Sequence, residues 1–188
     1  MMNVSKNKCV GCGLCVDVCP QEAIVVSRGI AKIEKDKCVE CQACLRECPQ
    51  EAIMLIKDIE LLVAFGTDDD NTLKSDNHVG MSKYFKVYRF SDDKEEFIEQ
   101  RSNVKYKEDE SKIHGDAGKA KATASALENV DVLVGHIFGP NISRLRNKFV
   151  CAVVRKDTVE QAIQAVRENI NELIEEKSKT DRMGIVLR

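Results

Sequence analysis

From Ile59 onward the chain carries a legible rhythm of apolar and polar positions. Residues 59–65 (IELLVAF) form a short, nearly continuous apolar run that predicts a buried strand. Residues 66–83 (GTDDDNTLKSDNHVGMSK) are polar and glycine-bearing and predict a long loop. Apolar and polar positions then alternate through 84–90 (YFKVYRF), a second strand, and a turn at 91–94 leads to a third around 95–104. Residues 105–113 are charged and irregular, while 115–129 read as a helix with Asp116 as its cap and Ala117, Ala120, Ala124 and Leu127 on one face. Strands at 131–134 and 149–154 flank a short helix at 140–147. The last helix starts at Asp157, with Glu160 as its cap-like partner. Its apolar stripe of Val159, Ala162, Ile163, Val166, Ile170, Leu173 and Ile174 keeps helical spacing. Strands come first and strand–helix units later, the order of a mixed α/β sheet.

Composition separates this region from what precedes it. Residues 1–57 contain no Phe, Tyr or Trp, whereas all six Phe and three Tyr lie further on. Charge changes as well, from 8 basic against 7 acidic residues in 1–57 to 21 against 24 in 58–188. The expected organisation is therefore two domains, 1–57 and 58–188. A segment so short and so poor in aromatics has little apolar surface to bury and needs covalent or metal staples. Eight of the nine cysteines fall between Cys9 and Cys48, where they can supply them. The net charge of -2 offers no basic surface for nucleic acid. No apolar run reaches the roughly 18–20 residues of a membrane span, and MMNVSKNKC lacks a signal-peptide core. The expectation is a cytoplasmic protein without a membrane partner.

The cysteines repeat. A shift of 29 residues lays CVGCGLCVDVCPQEAI (9–24) over CVECQACLRECPQEAI (38–53), matching every cysteine, the proline and the whole PQEAI tail. Each half reads C-x2-C-x2-C-x3-C-P, in which three closely spaced thiolates wrap one iron–sulfur cubane and the fourth serves the other. This assigns Cys9, Cys12, Cys15 and Cys48 to cluster I, and Cys38, Cys41, Cys44 and Cys19 to cluster II. The proline ends the ligand loop as the helix stops. Gly11 and Gly13 are expected to let backbone N–H groups approach the sulfurs. A disulfide framework would require an oxidising compartment. Structural zinc takes two paired ligands across a longer loop rather than three in seven residues. The segment resembles the bacterial two-cluster 4Fe–4S ferredoxins over essentially its whole length. That resemblance implies an α+β ferredoxin-like fold with pseudo-twofold symmetry, two small helices, and hairpins around residues 25–33 and after Ile53. It also implies single-electron transfer.

Further motifs carry a second resemblance. The run TDDD at 67–70, the loop ending His78-Val79-Gly80-x-x-Lys83-Tyr84-Phe85, the later VDVLVG, the Gly139-Pro140 turn and the final VEQAI helix resemble, in that order, the dinitrogenase iron–molybdenum cofactor biosynthesis family. The likeness spans residues 59–176 and implies a ribonuclease-H-like sheet that binds iron–sulfur cofactor precursors. Asp70, Val79 and Met81 stand where that family's pattern has Gly, Phe and Arg.

Three histidines fall at loop edges of this region: His78, His114 and His136. Loops are where binding residues concentrate, and a neutral imidazole suits iron. His114 precedes a helix start whose free N–H groups suit an anion, with Lys119 and Lys121 nearby. Cys151 lies in the apolar run FVCAVV and reads as a buried, inert thiol. Asp68–Asp70 fit a tight polar turn better than a nuclease's metal carboxylates, and Gly115-x-x-Gly118-Lys119 has the wrong spacing for a phosphate loop. No nucleophile–base pair and no C-x3-C-x2-C radical motif is present, so the chain reads as an electron carrier and not an enzyme. Its second domain would carry a transient iron–sulfur or metallocluster precursor, and its partner would be a redox or cluster-assembly protein. The alternative is a ferredoxin whose second domain only docks a redox partner.

Overall fold

Backbone pairing in the computed structural model, which describes residues 2–55, 59–91, 94–103 and 116–187, follows the 29-residue repeat. The chain divides into two compact units, 1–59 and 60–188. In the first, β1 (Met2–Val4) pairs antiparallel with β4 (Ile53–Leu55), and β2 (Ile24–Ser27) with β3 (Ile30–Ile33). Val4 faces Ile53 as Ile33 faces Ile24, so the 29-residue shift carries one ribbon onto the other. The hairpin expected after Ile53 is accordingly not one. The repeat mate of β3 lies before the first motif, at residues 2–4, and it is this segment that β4 takes as its partner.

Two short helices, α1 (Leu14–Asp17) and α2 (Ala43–Glu47), start after left-handed residues, Gly13 (φ 87) and Gln42 (φ 63), that are also repeat mates. Met2, Ile24, Ala31 and Ile53 form the small core together with Cys15 and Cys44. With so few apolar side chains, the thiols are themselves core residues.

The second unit is a six-stranded mixed sheet in the order β10-β9-β8-β5-β6-β7. Antiparallel β5 (Leu61–Thr67), β6 (Tyr84–Phe90) and β7 (Glu95–Ser102) come first in the chain. Helix α3 (Ala117–Ala126) then crosses to β8 (Val132–Gly135), parallel to β5, and α4 (Ile142–Arg146) to β9 (Val150–Val154). Asp116 caps α3 as expected, accepting from the Gly118 N–H at 2.7 Å. Alternation along β5 sends Ala64 to the face that packs with Leu127, Leu133 and Leu145. Phe65, on the other face, meets the rings of Tyr88 and Phe90.

The single last helix expected from the apolar stripe is two, α5 (Val159–Glu168) and α6 (Ile170–Ser178). Asn169 leaves helical geometry (φ −123, ψ 25), and its side-chain amide donates to the Ala165 carbonyl at 2.7 Å, competing with the backbone ladder. The cap sits one residue later than Asp157, because Thr158 and Gln161 form a reciprocal capping box. Three residues near the end, β10 (Ile185–Leu187), add a parallel edge beside β9. Too short to show a period, this strand had no signature in the sequence.

Candidate metal centres

Three cysteines of one motif and the fourth of the other come together twice. Cys9, Cys12, Cys15 and Cys48 line a cavity of about 350 Å³, whose wall also includes Ala31 and Ile53. Cys38, Cys41, Cys44 and Cys19 line a second of about 310 Å³, with Met2 and Ile24. No cysteine is disulfide-bonded. Among the described residues, no three His, Cys, Asp or Glu side chains converge closely enough to hold a single metal ion. Thiols spread around a cavity suit the corners of a polynuclear cluster better than one tetrahedral zinc.

Local backbone explains the repeated tail after the fourth cysteine. Cys48 ends α2 in an extended conformation, as a residue before proline must. The chain then turns through Glu22 or Glu51, both at φ 48. This brings the Ala23 N–H to the Cys19 sulfur and the Ala52 N–H to the Cys48 sulfur, each at 3.3 Å. Ala31 N–H reaches the Cys9 sulfur at 3.4 Å. Such N–H···S bonds stabilise a thiolate and are one of the means by which proteins set cluster potentials. Gly11 and Gly13 answer a backbone requirement. Both take left-handed backbone, and a Cβ on Gly11 would lie 2.4 Å from the Gly29 carbonyl oxygen. Burial, aided by the neighbouring thiols, pushes the Cys15 and Cys44 thiols up. Metal therefore displaces protons there as it binds.

His78 and His136 occupy the other unit, near the carboxyl ends of β5 and β8. Gly66 and Gly135 stand opposite one another across these strands, one step beyond the Phe65–Val134 pair. Into the notch they leave sits Val79, which is fully buried: a Cβ on Gly135 would lie 2.5 Å from the Val79 Cβ, and one on Gly66 2.7 Å from a Val79 methyl. Val79 N–H donates to the Ile137 carbonyl at 2.8 Å. Asn103, at the end of β7, clips the same turn by donating to the Gly80 and Ser82 carbonyls at 2.9 and 2.8 Å. His78 is thereby seated against Gly139, where an added Cβ would meet its ring at 2.8 Å. His136 follows β8 directly, and its Nδ1 is shielded from solvent without a hydrogen-bond partner. The sequence singled out both histidines as candidates, but neither the glycine pair nor Asn103 that position the His78 turn. His114 lies outside the described residues.

The acidic run is a turn, as its composition indicated. Asp69 accepts from the N–H groups of Asn71 (3.1 Å) and Thr72 (2.8 Å), bonds that hold its carboxyl below the usual carboxylate range. Asp68 accepts from the Lys83 N–H at 2.8 Å and pairs with the buried Lys74 ammonium. Asp70 adopts φ 74, which explains glycine at that place in the family pattern. Lys119 reaches across from α3 to the Met81 sulfur, bringing a cation to the position where the family pattern has arginine. Burial pushes the Lys119 ammonium down. Cys151 is buried and its thiol is pushed up to about 12 by desolvation, which fits an inert packing role.

Two cavities, each lined by three cysteines of one motif and the fourth of the other, fit an iron–sulfur protein of the electron-carrying, ferredoxin type. Its first unit matches the 4Fe–4S dicluster domain over residues 8–52. Over residues 60–169, more than half of its length, the chain matches the dinitrogenase iron–molybdenum cofactor family, and it belongs to that family. No curated protein matches it. Among the described residues no helix is long and apolar enough to cross a membrane.

Proposed function

We propose that the chain carries two 4Fe–4S clusters, transfers single electrons through them, and binds an iron–sulfur or metallocluster precursor on its second unit. The observation that carries this reading is the crossed lining of the two cavities. Cys9, Cys12, Cys15 and Cys48 would hold cluster I, and Cys38, Cys41, Cys44 and Cys19 cluster II. Each cluster, when bound, supplies one-electron redox chemistry. The eight thiolates would hold the irons, the Ala23, Ala31 and Ala52 N–H groups donate to three of those sulfurs, and Met2, Ile24, Ala31 and Ile53 line the cavities.

On the second unit the precursor would meet His78 and His136, with Lys119 as its counter-charge. The shielded, unpartnered His136 Nδ1 supports a ligand at this place, since such a buried group costs about 1–3 kcal/mol when left unmade. Three antiparallel strands followed by parallel crossovers support a ribonuclease-H-like assignment for this sheet. The chain works without nucleic acid or membrane, in the cytoplasm, with a redox or cluster-assembly protein as its partner, and as a carrier rather than an enzyme. A second reading, in which this unit only docks a redox partner, is favoured by the lack of a third metal ligand beside His78 and His136 among the described residues.

Iron and sulfide quantitation on the anaerobic full-length protein separates the two. The resident sites account for about eight irons. After incubation with a cluster precursor and desalting, a further increment that His78→Ala or His136→Ala abolishes is expected. Iron that stays at the resident value in the wild type would leave the docking reading.

A further inference from the structure

The repeat makes each cysteine-lined cavity a control for the other. Ligand exposure matches between them: Cys12 and Cys41 are exposed, Cys15 and Cys44 buried, and Cys9, Cys48, Cys38 and Cys19 partly buried. Solvent access to the sulfurs therefore does not separate the two sites. Two of the N–H···S bonds cancel as well, since Ala52 donates to Cys48 and Ala23 to Cys19 at the same 3.3 Å. A backbone N–H beside the third ligand, Cys15 or Cys44, is likewise common to both. What remains is the Ala31 N–H, which donates to the Cys9 sulfur at 3.4 Å. Its mate Met2 lines the other cavity, yet among the described residues Cys38, the mate of Cys9, accepts no backbone N–H.

Strand geometry supplies this donor. Ser27 faces Ile30 across the tight turn between β2 and β3, and Ala31 faces Val26 one step further along the ribbon. Alternation in an antiparallel pair turns the N–H at such a position outward, away from the partner strand. Gly11, lacking a Cβ, lies close against the Gly29 carbonyl and keeps the Cys9 loop beside this hairpin. One-electron reduction makes a cluster with its four thiolates one charge more negative, and an N–H donor stabilises the more negative state. The donor on Cys9 therefore raises the potential of cluster I above that of cluster II. Charge between the ligands acts in the same sense. The first loop (CVGCGLC) is neutral, whereas the second (CVECQAC) carries Glu40 where the first has Gly11.

We infer that Ala31, through its N–H on the Cys9 sulfur, makes cluster I the first of the two to be reduced, so that a reduced cluster II hands its electron to an oxidised cluster I. The inference rests on the two-cluster reading above. Its test is a potentiometric titration of the anaerobic full-length protein with dithionite, followed by low-temperature electron paramagnetic resonance of the reduced clusters. Iron and sulfide quantitation comes first, and a value well below about eight irons fails the two-cluster reading itself, and this inference with it. At the full iron content, two one-electron steps at different potentials are expected. Cys12→Ser alters a ligand of cluster I alone and should shift or remove the upper step. Cys41→Ser should do the same to the lower one. Ala31→Pro deletes the donor at a position outside the ladder and should bring the upper step down while the lower stays in place. If Ala31→Pro fails to hold its iron, the two serine variants decide the order of reduction by themselves. A single step shared by both clusters, an upper step that follows Cys41→Ser, or a fully loaded Ala31→Pro with an unmoved upper step overturns the inference.

Discussion

The two halves of the cluster unit solve the same backbone problem with different residues, which makes a controlled experiment. Gly11 and Gly13 adopt φ 65 and φ 87, while their repeat mates Glu40 and Gln42 adopt φ 54 and φ 63. Left-handed backbone costs a non-glycine residue roughly 1–2 kcal/mol. Gly13→Ala adds that cost alone, because its Cβ would meet nothing within 4 Å. Gly11→Ala adds a second: the Cβ lands 2.4 Å from the Gly29 carbonyl oxygen, and the atoms it meets are backbone and cannot rotate aside. Overpacking of this kind adds about 1–3 kcal/mol, for a total of about 2–5. Gln42→Gly runs the other way, relieving the left-handed cost against roughly 0.5–1 kcal/mol of lost chain entropy, for a net gain of about 0.5–1. Cluster loss is irreversible, so the assay is a rate: anaerobic bleaching of the visible charge-transfer band at fixed denaturant. At about 1.4 kcal/mol per tenfold, Gly13→Ala should bleach about 5- to 30-fold faster. Gly11→Ala should bleach about 30-fold faster or more, and Gln42→Gly more slowly than wild type. Equal rates for the two alanine variants would refute the argument from the Gly29 contact. A faster Gln42→Gly would refute the argument from φ.

Gly135→Ala should displace Val79 and destabilise the second unit by about 1–3 kcal/mol in urea unfolding followed by tyrosine fluorescence, and Val79→Ala introduced beside it should recover part of the loss. Glu176 supplies a pH dependence in the same unit. Burial opposes its ionisation, but Lys179 and the Gly184 and Met183 amides outweigh that and hold its carboxyl below the ordinary 4.5. A lowered native value means its stabilisation is complete above pH 4.5 and fades as pH falls through the native value, so Glu176→Gln should flatten the acid limb of the urea-midpoint profile.

Why the cysteine-rich unit was legible and the surroundings of the candidate histidines only partly so has a physical basis. Eight cysteines at fixed spacing leave few ways to surround two cubanes, and the repeat marks which residues are equivalent. What the repeat did not reveal was the partner of β4. The reason lies in Met2–Val4, three residues with no period of their own, whose pairing follows only once residue 2 is recognised as the mate of Ala31. The purpose of the PQEAI tail was hidden for a similar reason. Its function is the left-handed turn at Glu22 and Glu51 that aims an alanine N–H at sulfur, and glutamate does not advertise positive φ as glycine would.

In the second unit, the alternation of β6 and the stripe of α5 and α6 follow from local patterning, whereas the break between the two helices at Asn169 does not. The site does not follow, because its positions are set across the sheet rather than along the chain. Gly66 and Gly135 lie far apart in sequence and become a notch only through the register that puts Phe65 opposite Val134. Only then does a valine beside His78 have a place to insert, and only then does Asn103 come within reach of the Gly80 carbonyl. A histidine in a polar loop is ambiguous on composition alone. Its loop becomes a fixed support once Val79 is buried and Gly139 is under the ring. The family pattern's Phe at position 79 would have to fill that same notch with a larger side chain, so the valine here predicts a tighter approach of the His78 turn to the strand ends.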